Sequence, residues 1–162
     1  MLLQSMLREV DIIKFLATKV PDDRLAYRPT PAQRTTLELL QYLSCCGLRI
    51  TEVVLKQDPS LRDHYGKESE GVTLQSFPGA MDRQASRLRA LFDKIPENMF
   101  ATKEVTLPWG VKTTIEGLIL NASLKFLVAY RMQLFIYLKG MGRTELSTVE
   151  LWLGKDPEPP AA

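Results

Sequence analysis

The stretch Thr113–Gly142, TTIEGLILNASLKFLVAYRMQLFIYLKGMG, decides the fold. Ile115, Ile119, Ala122, Phe126, Tyr130 and Tyr137 share one helical face, and Leu120, Leu124, Leu127, Val128, Phe135 and Leu138 fill another. Thr113 and Glu116 have the spacing of a capping box, and Gly140 and Gly142 supply the stop. Asn121, Lys125, Arg131 and Gln133 keep the run short of the ~18 uninterrupted apolar residues of a membrane span. A helix this apolar must be covered on more than one side. Either it is central to a helix bundle, covered by the first helix or by a crossover, or its outer face pairs with a second copy. A homodimer, the commonest closed oligomer, is the expected solution.

Upstream, the same helical period recurs. Leu3, Met6, Val10, Ile13, Ala17 and Val20 form a first stripe that ends at Pro21. A capping box at Thr35 and Glu38 opens a second, carried by Leu39, Leu43, Cys46, Ile50 and Val53 to about Val54. Lys56–Pro78 loses the pattern and reads as a long connection crossing the bundle, with room for a turn of helix. Met81, Ala85, Leu88, Leu91 and Ile95 make a third helix, closed by Pro96. Val105–Lys112, with Pro108 and Gly110, reads as a turn or short hairpin. Leu146–Leu153 can add one or two helical turns. The expected fold is an all-α four-helix bundle over residues 1–154 with a crossover, followed by a Pro-rich, extended and mobile tail, 155–162.

Composition bounds the function. The chain has 162 residues, 45% hydrophobic and 25% charged, enough for one domain with a self-sufficient core. The net charge of +2, without Lys/Arg blocks, argues against a nucleic-acid binder. Adjacent Cys45 and Cys46 diverge on a helix and read as reduced thiols. Arg8, Glu9, Asp11 and Lys14 interrupt the N-terminal apolar residues, unlike a signal peptide. The expectation is a cytoplasmic protein with no membrane partner.

Several segments together resemble a known family. Val20–Pro29 (VPDDRLAYRP), Thr36–Leu43 (TLELLQYL), Pro108-Trp109-Gly110, Ala129–Leu134 (AYRMQL), Tyr137–Gly142 (YLKGMG) and Leu151–Asp156 (LWLGKD) are similar, in order, to the DinB-like four-helix bundles, which include YfiT-type metal-dependent hydrolases. The resemblance covers nearly the whole chain. It implies a divalent metal, zinc or nickel, held by one histidine on the second helix and two on the fourth, spaced i,i+4. That spacing suits convergence of two imidazoles on one point, and three protein ligands leave an open coordination position. It further implies thiol S-transferase, hydrolase or thiol-dependent isomerase chemistry.

The sequence departs from that pattern at each ligand. The three positions fall on Tyr42, Phe126 and Tyr130. Phenylalanine has no lone pair to offer, and neutral tyrosine is a poor zinc ligand. The single histidine, His64, lies in the long connection. No cofactor is therefore expected. Helical spacing places Glu38 and Cys46 one turn either side of Tyr42, and Ser123 and Gln133 three residues from Phe126 and Tyr130. These seven residues could line a small-ligand pocket at the former metal site, or the aromatics could simply fill the core. Arg34 and Arg131 are expected to serve as ion-pair or carbonyl partners. The favoured reading is a metal-free binding or structural module. The alternatives are a thiol transferase or hydrolase with an unorthodox site and, least supported, a DNA-associated protein.

Overall fold

The computed structural model describes residues 1–158, so part of the expected tail, Pro159 and Pro160 included, lies outside the described residues. Four rods form the bundle: α1 (Leu2–Ala17), a broken second rod of α2 (Thr36–Leu43) and α3 (Cys46–Lys56), α5 (Phe77–Phe92), and a fourth of α7 (Ile115–Leu118), a π-turn (Ile119–Ser123) and α8 (Leu124–Gly140). Their apolar stripes converge on one core that includes Met6, Ile13, Leu43, Met81, Leu127 and Leu134. The all-α bundle read from the periodicity is the fold observed. The fourth rod, Ile115–Gly140, is long and apolar enough to cross a membrane by length and composition. In the bundle it lies against α1, α2 and α3, the position of an apolar core helix.

The crossovers fall elsewhere than loop length suggests. α1 packs on α5 and α8, and α3 packs on α5 and α8, so the second-to-third connection joins neighbours while the first and third connections span diagonals. The second connection is long because it carries a helix of its own, α4 (Leu61–Glu70), laid against α2 and α3. The third carries a short helix, α6 (Met99–Thr102), and a hairpin, β1 (Glu104–Thr106) with β2 (Lys112–Thr114), paired Val105 to Thr113. A last helix, α9 (Thr148–Leu153), docks on α1.

Three local expectations are corrected. The second stripe is not one helix: it breaks at Ser44–Cys45, where Cys45 leaves helical geometry. Thr113 does not cap the fourth rod, which begins only at Ile115. Thr114 is the cap and accepts from the Gly117 N–H, so no Thr113–Glu116 box forms. The third helix ends at Phe92, ahead of Ile95 and Pro96. The Thr35–Glu38 box is present, and a second, Ser147–Glu150, opens α9. At the far end of the fourth rod Gly140 is still helical, leaving room for the Tyr27 hydroxyl, and Gly142, at φ +100°, makes the stop.

These boxes carry a pH dependence. The backbone N–H and hydroxyl of Thr35 hold the Glu38 carboxyl below its ordinary range. At Glu150 burial acts upward, but hydrogen bonds from Ser147 outweigh it. Both folded-state pKa values lie below the unfolded value, so the folded chain binds fewer protons in that window. The stabilisation is present above about pH 4.5 and is lost as pH falls through the folded values. Urea denaturation between pH 5 and 3 should therefore show a falling midpoint, and E38Q/E150Q should fall less over that interval. An equal acid loss in the double variant would refute the assignment.

Candidate functional site

The three positions singled out by the resemblance do meet. Tyr42 lies in the last turn of α2, and Phe126 and Tyr130 sit one turn apart on α8. The Tyr42 and Tyr130 ring centres are 4.6 Å apart, and Phe126 meets Tyr130 edge-on at 6.3 Å. The close approach of α3 to α8 supports this placement. Gly47 packs against Leu127 so tightly that a Cβ there would lie 2.9 Å from a Leu127 methyl carbon. The π-turn adds to it, since its wider hydrogen-bond spacing shifts the register of every side chain downstream.

Two guanidinium groups lie over the Tyr42 ring, Arg34 at 4.3 Å and Arg49 at 4.8 Å, and Arg34 also reaches Tyr130 at 5.7 Å. Such cation–π contacts contribute roughly 0.5–2 kcal/mol each, depending on desolvation. Burial pushes the Tyr42 phenol well above its usual range, and the neighbouring Cys46 and Tyr130 add to it. The phenol therefore stays protonated at neutral pH. Beside the cluster opens a cleft of about 320 Å³ lined by Tyr42, Arg49, Ile50, Val53, Arg62, Pro108, Trp109 and Phe126. A groove of about 370 Å³ continues it, sharing Val53, Arg62 and Pro108.

The remaining expected site residues are spent elsewhere. The Glu38 carboxylate accepts from the Thr35 N–H at 2.7 Å and serves as a cap. Cys46 is fully buried with its thiol against the Leu43 carbonyl, and burial pushes that thiol far up. With no exposed surface, its sulfur is not presented to the cleft. Ser123 pairs with Thr51 at 2.7 Å inside the core, tying the π-turn to α3. Gln133 donates to the Tyr137 hydroxyl, which in turn donates to the Arg34 carbonyl. His64 lies on exposed α4, 3.8 Å from Glu68, and not in a loop. Arg131 pairs with Glu9 and the Leu151 carbonyl as expected. Arg34 does not: its guanidinium stacks on phenols and makes no ion pair within 4.0 Å among the described residues.

Sequence reasoning missed Arg49, Arg62 and Trp109. Arg49 follows Tyr42 by seven residues, two helical turns, which is the signal that could have found it. Trp109 sits at the tip of the hairpin, in a turn closed by the Gly110 N–H to the Leu107 carbonyl, and stands half exposed. The arrangement does not fit a zinc or nickel ion. Two phenols and a benzyl ring replace the imidazoles, and no group of three His, Cys, Asp or Glu side chains among the described residues could hold a metal. What it can do is stack flat rings and pair with negative charge.

No family model matches the sequence, and no curated protein matches it. Among solved structures, the chain is similar to the crystal structure of a DinB-like protein, YjoA from Bacillus subtilis. The TM-score is 0.70 at 20% identity, over 90% of this chain and 95% of that one. The architecture reached from the rods and their capped ends is thus the DinB-like fold.

Proposed function

We propose that this chain is a metal-free, cytoplasmic binding module on the DinB-like fold, acting as a homodimer and taking a small molecule beside its former metal site. The observation that carries this reading is the contact of Tyr42, Phe126 and Tyr130 at the three positions where the resemblance implies imidazoles. The aromatics close the centre, while the adjoining cleft falls within the ~300–1,000 Å³ of small-ligand sites. A thiol transferase or hydrolase site gains no support, because Glu38 is committed to its cap and Cys46 is sealed. The dimer is supported by the fourth rod, where exposed Leu120 and half-buried Leu124 and Val128 follow one another at four-residue steps, a face suited to an isologous pairing.

Purified, untagged protein should carry only substoichiometric metal by elemental analysis and show no saturable heat on titration with zinc or nickel. Light scattering should give twice the 18.4 kDa chain mass. Stoichiometric metal lost in Y42F/Y130F would overturn the metal-free assignment. A monomer at micromolar concentration would overturn the dimer.

A further inference from the structure

We infer that the cleft takes a small organic anion with a flat apolar body, its acid group held by Arg49 and Arg62 and its ring against Trp109, Ile50 and Phe126. This rests on the binding-module reading above and names the ligand class that reading leaves open.

Charge carries the first part. Arg49 and Arg62 both line the cleft, and neither side chain makes an ion pair within 4.0 Å or a hydrogen bond with any described residue. No acidic residue lines the cleft or the groove that continues it. Some arginines elsewhere are matched, Arg87 by Glu68, Arg131 by Glu9 and Arg143 by Glu145, whereas Arg34, stacked on the same Tyr42 ring as Arg49, also lacks an ion pair among the described residues and adds to the positive charge beside the cleft. Two like charges facing one low-dielectric wall repel each other and attract an anion. The planar guanidinium offers a fork that matches a carboxylate, sulfonate or phosphate edge. Arg49 is also braced, since its stack on Tyr42 limits the freedom it would lose on binding.

Shape and apolarity carry the second part. Trp109 holds an indole half in solvent at the hairpin turn and lines the cleft together with Phe126 and the aliphatic Ile50 and Val53. An aromatic ligand seated there would shield that ring and leave its acid group toward Arg62 on α4. The near-neutral charge of the whole chain favours a small ligand over a polyanion, whose binding needs a longer cationic track.

Calorimetry with 1-naphthoate, 1-naphthamide, inorganic phosphate and a short single-stranded oligonucleotide, at one salt concentration, tests this. Saturable 1:1 binding of naphthoate is expected, about tenfold or more tighter than naphthamide, with phosphate weaker still. R49Q and R62Q should each weaken naphthoate by about tenfold, the scale of one charge-assisted hydrogen bond, and leave naphthamide unchanged. R89Q, an exposed arginine away from the cleft, should change neither. Equal binding of the acid and the amide would overturn the anion assignment while leaving a binding module in place. Binding unaffected in R49Q/R62Q would move the ligand elsewhere, for example to the hollow flanked by Lys94 and Lys103, and overturn the site. Tighter binding of the oligonucleotide would overturn the small-ligand class. Failure of both naphthalenes to bind would sink the binding-module reading as well.

Discussion

Replacing Gln84 by leucine should lower the unfolding free energy by about 3–5 kcal/mol, measured by urea denaturation, although the volume and the burial of the site are kept. Gln84 is a glutamine on α5 with almost no exposure. Its amide oxygen accepts from the Gly47 and Leu48 N–H groups at 3.1 and 3.2 Å, and its amide nitrogen donates to the Leu43 carbonyl at 3.0 Å. These are the orphan groups of the break between α2 and α3: the first turn of α3 has no cap of its own, and Leu43 ends α2. One side chain from a neighbouring rod thus caps two helix ends at once. Leucine would leave the Gly47 and Leu48 N–H groups unpaired and the Leu43 carbonyl with only the weak Cys46 thiol contact, at ~1–3 kcal/mol each, against ~1–2 kcal/mol of added apolar burial. A drop in Tm of roughly 10 °C follows for a chain of this size. Amide exchange at Gly47 and Leu48 should rise well above that of the α5 interior. A loss below about 1 kcal/mol would mean that the second rod closes into one continuous helix without Gln84, and that the break is not held by it.

That break marks the limit of what the sequence discloses. The stripes of the four rods were readable because each buries one face, and burial at a 3.6-residue period leaves its trace in composition. Between Leu40 and Leu48 only Gly47 hints at an interruption: no proline stands there, and the group that stabilises the break lies about forty residues away. α4 was hidden for a different reason. It turns only one fully buried side chain inward, Tyr65, which donates to Glu52 and accepts from Arg87, so it has no stripe to show. The crossovers were misplaced because loop length measures chain consumed, and α4 consumes it without travelling across the bundle.

The candidate site divides along the same line. Tyr42, Phe126 and Tyr130 were brought together by the resemblance, and the two facing rods, whose helices fix side-chain direction, keep them in contact. Glu38, Cys46, Ser123 and Gln133 could not be sorted by spacing alone. Each is within one turn of the aromatics, yet a cap, a helix break, a core hydroxyl pair and a Tyr137 contact draw them away. The cationic wall needs tertiary structure as well: Arg62 arrives on the unread α4, and Trp109 on the hairpin.

Arg131→Met should cost about 3–5 kcal/mol, while the double replacement Glu9→Leu with Arg131→Met should return to within ~1–2 kcal/mol of the parent. Arg131 is 1% exposed on α8 and Glu9 13% exposed on α1, with Nε and Oε2 3.1 Å apart. The contact is one of charge more than of aligned hydrogen bonds, because Arg131 Nε and Nη2 and Glu9 Oε2 find no hydrogen-bond partner among the described residues. Burial pushes Glu9 up and Arg131 down, each against the pull of the other. Losing the guanidinium strands a carboxylate, whereas losing both charges leaves apolar packing. A large positive coupling in the double-mutant cycle is therefore expected. The single variant should also loosen α9, since Arg131 donates to the Leu151 carbonyl at 3.0 Å and lies 4.8 Å from the Trp152 ring. Faster exchange confined to residues 148–153 would report that. The pH response fixes the cause. Without Arg131 the folded-state pKa of Glu9 rises further above its unfolded value, so the folded chain binds the extra proton first. The deficit of Arg131→Met should then be full near pH 7 and shrink as pH falls through that raised pKa. A deficit unchanged between pH 7 and 4 would locate the loss in packing and the α9 contacts alone, and would remove the stranded charge from the account.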